Sequence, residues 1–176
     1  MPNTMDTSAT ADQLLAFGAL LGRSGKIIES EISGTSMGST LPSGCHIRIC
    51  PLPPDEYRSG QVVAFVAGKT ICAHRIVHRS SQGVLTCGDS HFWCDLPVPV
   101  SAILGVVSER LVNGQWIPFD DRVPFESEKR TRHWIIETLL LLCLRIDIRL
   151  ARQAWKGLMS LARWRRRLIA ELLPTR

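Results

Sequence analysis

Between Lys26 and Ile117 the chain never runs far without a turn signal, and that punctuation constrains the fold more than any other feature. Helices need sustained 3.6-residue periodicity, whereas short apolar or alternating runs bounded by Gly, Pro, Asn and Ser read as strands. Lys26 to Ile32 is one such run, and His46-Ile47-Arg48-Ile49-Cys50 alternates as a half-buried strand would. Pro51 to Glu56 reads as a loop by its prolines, Ser59-Gly60 as a turn, and Val62 to Val66 as a buried strand. Gly68-Lys69 predicts a hairpin turn into Thr70 to His78, where Ile71, Ala73, Arg75 and Val77 share one face and Cys72, His74, Ile76 and His78 the other. Val84 to Cys87, Val98 to Val107, and Leu111 to Ile117 folded back at Asn113-Gly114 supply the remaining strands. The fold class expected is mainly β.

Two flanking segments break this pattern. Ala11 to Leu21 spaces its leucines as a short helix does, so residues 1–25 read as a leader helix ahead of a β-body at 26–122. From about Ser127 the chain becomes apolar and basic with helical spacing, giving a helical tail at 127–176 that Gly157 is expected to split in two. Charge is divided the same way. Residues 127–176 hold 12 Lys or Arg against 4 Asp or Glu, and residues 1–126 hold 9 against 12. A basic amphipathic tail rich in Leu and Trp suits an anionic membrane surface, a protein partner, or the β-body itself. No recognition motif accompanies the charge, which argues against nucleic acid as the partner.

Six cysteines without a CxxC pair, and an N-terminus MPNTMDTSATADQ lacking the basic and apolar regions of a secretion signal, predict a reducing, cytoplasmic setting, with peripheral attachment to the membrane as the variant. Trp134 to Leu144 is too short to span a bilayer and is interrupted by Glu137 and closed by Arg145 and Asp147.

One loop in the β-body is unusual. Gly34-Thr35-Ser36-Met37-Gly38-Ser39-Thr40-Leu41-Pro42-Ser43-Gly44 surrounds Ser36 with small and turn-forming residues, a setting for a tight backbone and an exposed hydroxyl. A serine becomes a nucleophile only when a base takes its proton. His74 on its strand is the candidate base, and Asp89 and Asp95, at the ends of the loop Gly88 to Asp95, are candidates to orient it. Taken singly, Ser36 also reads as a turn former, His74 as a satisfied core histidine and the aspartates as loop caps. Their joint occurrence favours catalysis. Cys87, His91 and Cys94, with Cys72 or His74, offer zinc-like spacing as another reading, but the loop has no CxxC knuckle, and buried thiols are the commoner state of such cysteines.

The segments GTSMGSTLPSGC, AHRIV and CGDSHFWCD, in that order, resemble the core motifs of the signal peptidase family, in its Ser/His branch. The resemblance covers roughly Ile32 to Val107. Ser39 stands where that family usually has proline, Cys45 where it has aspartate, and Gln61 where a second Gly-Asp is common. The same fold serves self-cleaving repressors in which lysine replaces the histidine; here the position is His74. The resemblance implies a signal peptidase/LexA-like β-fold with a C-terminal helical extension. It implies Ser36 as nucleophile, His74 as general base, Asp95 as the triad aspartate and Asp89 as its accessory neighbour. The Ser36 backbone N–H would serve as oxyanion donor, with Gly34 lacking a side-chain hydroxyl to assist it. Such an enzyme is a serine endopeptidase acting on a peptide or precursor protein, and needs no cofactor or metal. The alternative is an inactive member that binds a peptide or partner on the same fold.

Overall fold

The computed structural model describes residues 25–67, 70–91, 93–120 and 134–172, with positions 13, 16 and 20 before them. Gln13, Ala16 and Leu20 are helical; the rest of the leader, the Gly68-Lys69 turn and the first residues of the tail lie outside the described residues. So do the side chains of Trp134, Trp164, Arg163 and Arg165 to Arg167.

Seven strands make one antiparallel sheet: β1 (Ile28–Glu31), β2 (His46–Cys50), β3 (Val62–Ala67), β4 (Thr70–Arg79), β5 (Val84–Cys87), β6 (Ile103–Val112) and β7 (Gln115–Pro118). Their order is β1-β2-β6-β3-β4-β5, with β7 also on β6. The mainly β expectation holds. Two boundaries differ: the strand expected from Val98 begins only at Ile103, because Pro97 and Pro99 lack the N–H a ladder needs and Val100–Ala102 forms a 3-10 turn, and β6 then runs unbroken through Ser108, Glu109 and Arg110, where the sequence suggested a gap. These polar residues remain in strand because Arg48 of β2 lies opposite Glu109 and ion-pairs with it at 2.9 Å while also reaching Glu29 of β1. The Arg48 guanidinium also stacks 4.1 Å from the Trp116 ring on β7, so four strands are tied on their polar face. The β6–β7 hairpin turns at Asn113 (φ 49°) and Gly114 (φ 77°), the paired left-handed conformation an Asn-Gly turn provides.

Both faces of the sheet are covered. On one, Met37 and Leu41 from the Ser36 loop seal Ile47, Ile49, Val62, Ala64 and Val107. On the other, Tyr57, Val63, Phe65, Ile76, Val84 and Val98 form a second cluster. Adjacent positions of β4 divide between them: Ala73 packs on the first cluster and Cys72 on the second.

The tail forms α1 (Trp134–Ile146) and α2 (Ile148–Leu172). The break falls at Asp147, not at Gly157. Asp147 receives the Arg149 N–H on its carboxylate, as an N-cap does, and its carbonyl accepts the Ala151 N–H. Gly157 is absorbed because the turn around it is held by the half-buried Ala154, Trp155 and Leu158. Leu140, Leu144 and Ala151 are buried with Val77, Leu85, Cys87 and Cys94, so these helices complete a third core cluster against β4, β5 and the Gly88–Asp95 loop. The Ser80 hydroxyl donates to the Leu144 carbonyl near the end of α1, occupying one of the acceptors a helix end leaves free.

Candidate active site

Ser36 is held by what surrounds it in sequence. The next residue, Met37, is only 2% exposed, and Leu41 is fully buried, so these two anchors fix the loop while Ser36 stays half-buried at its rim. The Ser36 carbonyl accepts the N–H of Ser90 at 2.8 Å, which joins the loop to the one that carries the aspartates. That approach leaves no room for a side chain at position 88. A Cβ on Gly88 would stand 2.7 Å from the Ser36 carbonyl oxygen and 3.2 Å from His74 Nε2.

His74 lies mid-strand on β4 and is buried. Its Nε2 is 2.8 Å from Ser36 Oγ, and its Nδ1 is 2.6 Å from Asp95 Oδ2. The same Asp95 oxygen accepts the Thr86 hydroxyl at 2.8 Å, and the Asp95 N–H donates to the Thr86 carbonyl at 2.7 Å. With the carboxylate on Nδ1, the proton of a neutral imidazole belongs on that nitrogen and Nε2 faces the serine as acceptor. Ser36, His74 and Asp95 therefore form one hydrogen-bonded line.

Asp89 does something else. Arg75 donates to both its oxygens, from Nε at 2.9 Å and Nη2 at 2.8 Å, and from Nη1 to the Gly60 carbonyl at 2.7 Å. Both side chains are nearly out of solvent, so this pair locks the loop onto β4 and does not touch His74. The choice between the two aspartates as partner of His74 is thus resolved geometrically in favour of Asp95.

Four further residues bear on the site in places sequence reasoning did not give them: it passed over Thr86, left Trp155 in the tail, and considered His91 and Cys87 only for zinc. Thr86 is a polar residue within the otherwise apolar and fully buried β5, and that anomaly is the signal that marks it. The His91 ring meets the His74 ring edge to face with centroids 5.6 Å apart. Trp155 of α2 donates its indole N–H to the Cys94 carbonyl at 2.8 Å, bracing the residue before Asp95. Cys87 is buried with its thiol 3.4 to 3.5 Å from the carbonyls of Gly88, His91 and Trp93, an internal support for the same loop. Among the described residues no group of three or more His, Cys, Asp or Glu is placed to hold a metal ion.

A cleft of about 260 Å³ opens beside Ser36 and His74, floored by Met37, Ile47, Ile49 and Ala64. Ser30 to Gly34 form one wall and Thr70 to Ala73 the other. Gly34 is exposed on the first wall. β1 pairs only with β2, and Thr70 to His74 of β4 pair with β3 but not with β5, so each wall presents one strand edge without a partner among the described residues. Burial pushes the Cys72 thiol above its usual range, helped by the Asp95 charge and opposed by a hydrogen bond with Thr70. No protein-family model matches the chain, and no curated protein matches it.

Proposed function

We propose that this chain is a serine endopeptidase of the signal peptidase type, on a signal peptidase/LexA-like β-fold, acting on a peptide or precursor protein. The observation that carries this is the line Asp95–His74–Ser36, with hydrogen bonds of 2.6 and 2.8 Å on opposite nitrogens of one imidazole. A turn serine, a core histidine and a loop cap need no such shared order, and the arrangement favours the hydrolase over a binding-only role.

Ser36 Oγ attacks the scissile carbonyl as His74 Nε2 takes its proton; the imidazolium is steadied by Asp95 and then protonates the leaving amine. Water, deprotonated by the same nitrogen, hydrolyses the serine ester and returns the proton to Oγ. The Ser36 N–H is the proposed oxyanion donor. The substrate lies extended between the open edges of β1 and β4, its backbone pairing with theirs. The resemblance to the signal peptidase family implies small side chains next to the cut.

Peripheral membrane attachment is the proposed role of the outer helical face. Leu139, Leu142, Ile146 and Leu150 are exposed there beside Arg145 and Arg149, a combination suited to an anionic lipid surface. Among the described residues, no helix is long and apolar enough to cross a membrane. A cytoplasmic setting is proposed with this attachment, and the six free cysteines suit it.

The test is cleavage of a randomised peptide mixture, read by mass spectrometry, with Ser36→Ala and His74→Ala as comparisons. Cleavage lost by several orders of magnitude in both variants is the expected result. Equal cleavage by wild type and Ser36→Ala, or none by wild type, would overturn the proposal.

A further inference from the structure

A second pocket, of about 440 Å³, lies on the far side of β4 from the cleft. Its walls come from Phe65 and Cys72 of the sheet, Leu96 and Pro97 of the loop after Asp95, and Arg152 and Trp155 of α2. Cys72 borders both spaces. The two therefore meet over the edge of β4 at Thr70 to His74 that has no strand partner among the described residues.

Strand geometry gives that meeting a purpose. Successive side chains of an extended chain point to opposite faces of a sheet. In β4 itself, Ala73 opposes Ala64 and packs into the cluster beneath the cleft, whereas Cys72 opposes Phe65 and packs into the cluster beside the second pocket. A peptide laid along this edge sends alternate side chains into the cleft and into the second pocket.

The chemistry of the second pocket is asymmetric. Most of its lining is apolar or aromatic, and Arg152, half-buried, makes no ion pair among the described residues. The other charged group there, Asp95, already has one oxygen occupied by His74 and Thr86. The Trp155 wall is fixed by its hydrogen bond to the Cys94 carbonyl, so the Arg152 turn of α2 is anchored in place.

We propose that Arg152 and Trp155 complete a second substrate subsite, supplied by the helical extension, which selects an acidic side chain in the bound peptide. The aliphatic part of a glutamate or aspartate would lie along Leu96 and Pro97 while its carboxylate meets the guanidinium. This rests on the peptide-binding reading of the cleft, but not on turnover.

The test therefore separates binding from cleavage. Full-length Ser36→Ala protein is used to capture peptides from a fully randomised dodecapeptide mixture, alone and combined with Arg152→Gln or Arg152→Glu, and the captured sequences are read by mass spectrometry. Acidic residues are expected to be enriched roughly tenfold at one position by Ser36→Ala, evenly represented with Arg152→Gln, and replaced by Lys or Arg with Arg152→Glu. A reversal of preference cannot come from partial unfolding. Capture with no acidic preference, a preference unchanged in both Arg152 variants, or no capture at all would overturn the subsite. Cleavage of the same mixture by wild type judges the peptidase reading separately: Arg152-dependent capture without cleavage would retain the subsite and remove the enzyme.

Discussion

At the scale of single residues, the two aspartates of one short loop divide their work, and the division is measurable. Asp95→Asn keeps the shape beside His74 but favours the wrong imidazole tautomer, so kcat is expected to fall by roughly three to four orders of magnitude with little change in melting temperature. Asp89→Asn strands the buried Arg75 guanidinium, and a loss of about 3 kcal/mol in stability is expected, read as a lower denaturant midpoint. If Asp89→Asn proved the purely kinetic variant and Asp95→Asn the unstable one, the assignment would be reversed. Sequence spacing could nominate both acids for His74 and could not separate them, because both lie on one loop and only the direction of β4 decides which side chain meets which face. That Ser36 and His74 meet was legible because a serine turn and a strand histidine in an ordered series of motifs are rare. Thr86 was not, since one threonine in a short apolar run has many explanations.

At the scale of elements, the C-terminal helices belong to the core of the β-body. Leu144 is fully buried at their junction with β4 and β5, and Leu144→Ala is expected to cost about 3 kcal/mol, measured by chemical denaturation. Truncation after Phe125 would strip Leu140, Leu144 and Ala151 together and is expected to unfold the loop bearing Asp95; a truncated chain with native stability would refute this. Charge and periodicity revealed the helices but left their inner partner open, because an amphipathic stripe reads the same whether it faces lipid, protein or its own domain. The position of the break was misread for a local reason. Gly157 lowers helix propensity by about 1 kcal/mol, which packing of Trp155 and Leu158 offsets, whereas Asp147 ends one helix by capping the next.

Across the whole molecule, the strand succession was readable almost throughout because turn residues mark it, and β6 departed from expectation at its start, where Pro99 leads into a 3-10 turn, and at Ser108 to Arg110, where an ion pair kept polar residues in the ladder. Which edges stay open was beyond reach, since pairing joins residues distant in sequence. The placement of apolar and basic residues on the outside of α1 and α2 gives an expected outcome for the intact protein: co-sedimentation with phosphatidylserine vesicles, weakened by salt and by the double change Leu142→Asp and Ile146→Asp. Equal recovery with neutral and anionic vesicles, or binding indifferent to the double change, would remove the membrane from the account. Among the described residues, β1 and Thr70 to His74 each keep one edge without a strand partner, and that carries a further consequence. An edge able to grip an extended peptide, as proposed, has no means of refusing the edge of another copy, so concentrated protein without such a peptide is expected to associate strand to strand, and a tight-binding peptide should act as its solubiliser.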